Sequence, residues 1–131
     1  MTGPVHGRRE MIAAMDPVLD PRPWAFTLMR GPAERDAALA TFREDEGLSL
    51  IVPAELAPAS ALRMRRITLG VHSALEGVGL TAAVAGTLAD AEIPCNVVAA
   101  CHHDHLFVPE AMAARAMDLL RALQAETAGQ A

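Results

Sequence analysis

The chain has no tyrosine, one tryptophan and three phenylalanines, so aromatic side chains have little part in its chemistry. Its two cysteines, Cys95 and Cys101, are too few for the disulfide scaffold of a small secreted protein. Free thiols in a reducing, cytoplasmic setting are the simpler reading. Eleven basic residues stand against sixteen acidic ones, for a formal charge of −5, and the basic residues are scattered. No positive stripe interleaved with aromatics is present, which argues against a nucleic-acid partner. The opening "MTGPVHGRREMIAAMDP" has two arginines but lacks the apolar run that a signal peptide needs after them. The longest uncharged run near the centre, Gly77 to Ala89, is too short to cross a bilayer, so no membrane partner is expected.

Hydrophobic residues, mostly Ala, Val and Leu, make up 52% of the 131 positions. That is enough to bury a core without staples, in one compact unit or two small ones sharing a core. Residues 1–23 hold four of the nine prolines and little pattern, and read as an irregular arm. "WAFTLM" (Trp24–Met29) then reads as a buried strand, interrupted by the turn residues of "RGPAERD". "AALATFR" and "LSLIV" flank "EDEG", whose Gly47 suits a tight hairpin. "RITLGVHS" reads as a further strand. From Gly79, Leu80, Val84 and Leu88 recur at helical spacing, and Pro94 ends that helix near Ala91. "CNVVAAC" reads as a strand buried on both faces, and "HLFV" as the next. Pro109 then opens a helix with an apolar stripe of Met112, Ala116, Leu119, Leu120 and Leu123.

The two halves match. "LSLIVPAEL" and "DHLFVPEAM" share a strand, then Val-Pro, then an acidic helix start, so Pro53 and Pro109 mark one point in two copies. "FTL" (Phe26–Leu28) and "ITL" (Ile67–Leu69) match at a shorter offset, the difference being about one ordinary helix. The expected fold is therefore α+β: a tandem pseudo-duplication of βαββα-type units, with antiparallel sheets and helices on one face. The first copy's leading helix is reduced to a loop. Its parts are an arm (1–23), a first repeat (24–62) and a second repeat (63–131). Each βαββα unit lacks the last strand of a ferredoxin-like sandwich, and two units complete each other while covering exposed edges.

The stretches "TFREDEGLSLIVP" and "GVGLTAAVAGTLADAEIPCNVVAACHHDHLFVP" resemble the ACT-domain proteins, ferredoxin-like regulatory modules. The likeness is closest to a stand-alone bacterial branch with two tandem ACT-like repeats, and extends to aspartate kinase regulatory domains and the animal cytosolic arginine sensors. It implies a non-catalytic, homodimeric protein that binds an amino acid or related metabolite between ACT units, without a cofactor. In that family the pocket is made by the first strand-to-helix loop and the start of the following strand. Here these are Ser73–Thr81 and Pro94–Val97. The segment that carries a ligand-contacting acid in the arginine sensors matches Asp104. The implied ligand-binding residues are Glu76, Gly77, Val78, Gly79, Leu80, Thr81, Asn96 and Asp104.

The physical chemistry of these residues is compatible with that role. Free N–H groups at a helix start attract a carboxylate, and glycines let a ligand approach the backbone. Thr81 offers a hydroxyl, and Glu76 a partner for an amino group. The same glycines also suit a plain tight turn, and Asn96 at the start of a buried strand can equally cap the turn before it. The dense stretch "CHHDH" opens two rival readings. One is a metal- or thiol-dependent enzyme using Cys101, His103 and His105, with His72 approaching across the sheet. Alternation along a strand counts against it, since neighbours such as His102 and His103 would point to opposite faces, and a hairpin turn with exposed imidazoles explains the stretch more simply. The other is a docking module with no ligand.

Overall fold

The structure, a computed structural model, describes residues 3–130. The chain opens with helix α1 (Arg8–Ala13), the long strand β1 (Pro17–Leu28) and the short helix α2 (Pro32–Ala37). A hairpin of β2 (Ala40–Glu44) and β3 (Gly47–Pro53) follows, closed by a 3-10 turn at Ala54–Leu56. The second half repeats the plan with β4 (Met64–Leu69), α3 (Leu80–Asp90), β5 (Asn96–Ala99) and β6 (Asp104–Pro109). A second 3-10 turn, Glu110–Met112, leads into α4 (Ala113–Ala128).

All six strands form one antiparallel sheet in the order β2-β3-β1-β4-β6-β5. The order is its own mirror in copies: β2 answers β5, β3 answers β6, and β1 meets β4 in the middle. Trp24 pairs with Pro53 as Met64 pairs with Pro109, and Trp24 itself lies opposite Met64. Pro53 (φ −51°, ψ 136°) and Pro109 (φ −55°, ψ 139°) share one backbone conformation, and each starts a 3-10 turn. The duplication is thus visible in the backbone as well as in the residues.

Alternation along the central strands sorts side chains between two faces. Ile67, Leu69, Leu106 and Val108 pack under the helices, against Met11, Ile12 and Met15, Val84 and Leu88, and Met117 and Leu120. Trp24, Ile51, Met64 and Phe107 form a smaller cluster on the other face.

Four local expectations are corrected. Within the expected arm of residues 1–23, the first two of which lie outside the described residues, the chain is not irregular: Met11, Ile12 and Met15 are among the most buried side chains, and β1 begins at Pro17. The prolines are tolerated because residues 17–23 pair with β4 alone, and the register shift between Leu19 and Pro23 absorbs the missing donors. The segment "RGPAERD" holds a helix where a loop was expected. Pro32 sits in its first turn, and the Glu34 carboxylate accepts the backbone N–H groups of Arg30 and Gly31, both at 2.7 Å. β5 is a sheet edge with both ends exposed, rather than a strand buried on both faces. In α4 the helix proper starts after Met112, which is exposed, and Met117 takes its expected place in the core.

Candidate functional site

A cavity of about 140 Å³ lies where the β4–α3 loop meets the β5–β6 turn. Gly77, Gly79, Leu80 and Thr81 line it from the loop and helix start, and Asp104 from the head of β6. Gly79 is the N-cap of α3 with φ +106°, and it has no side chain to cap the helix. The first amides of α3 therefore lack intrahelical partners, and the positive end of the helix faces the same space. Across from it, the Ser73 hydroxyl donates to Asp104 Oδ2 at 3.3 Å, tying the loop to the strand. The site thus sets hydrogen-bond donors and a carboxylate on two sides of one small space.

The N-terminal segment completes the cavity. Met11 of α1 lines it, while the Val5 N–H donates to the His72 carbonyl at 2.7 Å and the Ala74 N–H to the Val5 carbonyl at 3.0 Å. These contacts hold the loop down along its whole first half. A Cβ at Gly79 would stand 2.6 Å from Arg8 Cδ and 3.0 Å from Arg8 Cβ, so α1 packs directly onto the cap.

Of the eight residues expected to bind ligand, five converge here: Gly77, Gly79, Leu80, Thr81 and Asp104. Glu76 lines an adjoining cavity of about 240 Å³ with His6, His72 and Cys101; the two cavities share the wall Ser73–Leu75. Val78 points to solvent at 79% exposure and lines neither. Asn96 is exposed, sits at the far end of β5 opposite Phe107, and lines a different hollow with Phe26 and Met64. It is Ala99, at the other end of β5, that reaches the first cavity. Met11 and Ala99 were missed from sequence, while Ser73 opens the loop that the sequence assigns to the pocket. Neither carried a local signal: α1 is too short for the spacing of its apolar residues to stand out, and Ala99 is a small residue at a strand end.

The histidine stretch is a bend between β5 and β6, the turn between two strands that the sequence favours over a metal site. His102 and His103 both approach His72, with ring centroids 4.8 and 6.5 Å from it. Among the described residues, no group of three or more His, Cys, Asp or Glu side chains is arranged to hold a metal ion. Cys95 is half-buried, and burial raises its thiol above the usual range, which keeps it protonated and unreactive. His105 lies apart, its Nδ1 at 3.1 Å from Thr68 Oγ1. Burial lowers its pKa, and the charges of Arg66 and His103 add to the effect against an opposing pull from Asp104.

A depressed histidine gives a defined pH dependence. Below the ordinary value near 6.5 the unfolded chain takes up this proton before the folded one, so stability falls as pH drops through that value. His105→Gln is expected to flatten part of that slope. Urea unfolding of both proteins at pH 7.5 and pH 5.5 checks it, and equal slopes would remove His105 as the cause.

A ferredoxin-like pair of units, with a small cavity at a helix N-terminus, defines a small-molecule-binding module. The chain belongs to the ACT-domain family: two ACT-domain models match residues 9–68 and 63–122. The first match takes in α1, the segment that reads as an arm in the sequence. The chain is similar to the solved structure of VC0802 from Vibrio cholerae, a protein of unknown function described as a possible transport protein. The two share 37% identity with a TM-score of 0.74, over 86% of this chain and 92% of that one. Atu0741 from Agrobacterium tumefaciens shares the fold at 21% identity, with a TM-score of 0.61 over 78% of this chain and 81% of that one. No curated protein matches. The family gives the chain a small-molecule-binding regulatory role, of the kind that is typically non-catalytic. Among the described residues no helix is long and apolar enough to cross a membrane.

Proposed function

We propose that this protein is a non-catalytic regulatory module that binds a free amino acid in the cavity between the start of α3 and Asp104. The observation that carries this reading is the pairing of opposite groups across one space. The uncapped amides after Gly79 suit an α-carboxylate, and the Asp104 carboxylate suits an α-ammonium. A side chain would extend past Ser73–Leu75 into the adjoining cavity, where Glu76 favours a basic one. Binding acts by population shift: a ligand that clamps the β4–α3 loop to the β5–β6 turn favours the state in which the two are apposed.

A homodimer fits this reading, because β2 and β5 leave free sheet edges that a second copy can cover. A cytoplasmic location fits the two free thiols, one of them exposed.

Thermal-shift measurement against the twenty amino acids tests the proposal. A ligand at a hundred times its Kd is expected to raise the Tm by about 10 °C. The shift is expected to vanish in Asp104→Ala. No shift with any amino acid would favour the docking-module reading instead, and a shift that survives this substitution would overturn the placement of the ligand at Asp104.

A further inference from the structure

β2 and β5 stand at opposite ends of the sheet, and in a flat sheet they would lie roughly 24 Å apart. Yet Ala40 of β2 and Val98 of β5 both pack against the same cluster of Trp24, Ile51, Met64 and Phe107. Membership of one wide cluster would allow a flat sheet, but Ala40 and Val98 also line one small cavity, so the sheet is curled with its helix-free face concave. Where the ends converge they enclose a cavity of about 110 Å³, lined by Ala40 and Ile51 from one end and by Val98, Phe107 and His105 from the other, with Arg66 beside them.

We propose that this concave face holds a second small-molecule site, distinct from the one at α3, that takes a short-chain carboxylate without an amino group. The walls are apolar except for two basic side chains, Arg66 and His105. Arg66 Nη2 donates to Asp20 Oδ2 at 3.0 Å, but its Nε is shut off from solvent and has no partner among the described residues. That donor is sealed from the cavity as well, but the guanidinium carries further N–H groups beyond the one given to Asp20, and these are the ones a ligand oxygen can meet where Arg66 lines the wall. Asp20 does not neutralise the site, because it also pairs with Arg22, leaving one carboxylate between two guanidiniums. The remaining field is positive, in keeping with the effect of Arg66 on His105.

Size and chemistry narrow the occupant. A cavity of about 150 Å³ holds the six heavy atoms of a benzene ring, so this smaller one suits an acid of at most about six heavy atoms, carboxylate included. A free amino acid is disfavoured, since Asp20 already accepts from Arg22, Trp24 and Arg66 and is not among the lining residues. Inorganic phosphate would have to shed its water against alkyl walls. The uncharged face of the ligand rests on Ile51 and Val98, and its oxygens turn to Arg66 and the free nitrogen of His105.

The test is an NMR titration of the His105 ring with butyrate on the full chain. Saturable shifts are expected, together with a rise in the His105 pKa, because a bound anion offsets the charge of Arg66. Butyramide, of the same shape without the charge, is expected to bind at least tenfold more weakly, and alanine likewise. Val98→Phe, which fills the cavity without touching an ion pair, is expected to weaken butyrate at least tenfold while the fold persists. Arg66→Met serves as a second variant. No saturable shift, equal binding of butyramide, or undiminished binding in Val98→Phe would each overturn the proposal.

Discussion

Replacing Asp20 with alanine is expected to destabilise the protein by about 3–5 kcal/mol, the cost of breaking a buried charge pair from one side. Asp20 sits where β1 loses register with β4, and its side chain is only 8% exposed. One carboxylate oxygen accepts the Arg22 backbone N–H at 2.9 Å; the other accepts Trp24 Nε1 and Arg66 Nη2, each at 3.0 Å. Burial alone would raise its pKa. The donors from Arg22, Trp24 and Arg66 outweigh burial and hold it at about 2, against an ordinary 3.8.

That gap has a stability equivalent of about 2 kcal/mol. The sign follows from proton uptake: the unfolded chain protonates first, so the contribution is full above pH 4 and is lost as pH falls toward 2. Alanine removes it and also strands the Trp24 and Arg66 donors. Asparagine keeps one acceptor and costs less, but it abolishes the acid-dependent part. Urea unfolding at pH 7 and pH 3 separates these effects. A loss below 1 kcal/mol for Asp20→Ala at pH 7, or an unchanged acid response in Asp20→Asn, would contradict this account.

Strong local grammar made much of the fold legible. Val-Pro at the end of β3 and β6 exposed the duplication, because proline's fixed φ forces the same exit from each strand. Pro94 and the Leu80–Val84–Leu88 spacing bounded α3 within a residue of its observed end. What stayed hidden was short or tertiary. α1 has six residues, too few turns for periodicity to stand out, and prolines disguised β1 as a lead-in. The site was half legible for the same reason. Loop residues next to a helix start, such as Gly79 and Thr81, announce themselves locally, whereas Met11 and Ala99 reach the cavity only through packing. Asn96 looked suitable by type, and only the direction of β5 shows that it faces the other way.

Gly79→Val is expected to cost roughly 2–6 kcal/mol and to abolish any response to amino acids. Two effects combine. At φ +106° a β-branched residue is strained by about 1–3 kcal/mol, since its Cβ and backbone collide in that region. The new side chain also meets Arg8, with Cγ 2.7 Å and Cβ 3.0 Å from the added Cβ, and overpacking of this kind costs about 1–3 kcal/mol. Arg8 can swing its outer atoms away, but its Cβ moves only with α1, and α1 carries Met11 into the cavity wall. The substitution therefore acts on the site through the N-terminal helix as well as through the cap. Gly79→Ala separates the two, keeping most of the backbone strain with less bulk, and is expected to lie between wild type and valine in stability. Gly86→Val, on α3 with open space around its Cβ, serves as the comparison outside the cavity lining. Thermal unfolding with and without the amino acid found in the screen measures both quantities. If Gly79→Val kept wild-type stability and wild-type ligand response, the helix cap would have no part in binding, and Asp104 alone would be left to hold the ligand.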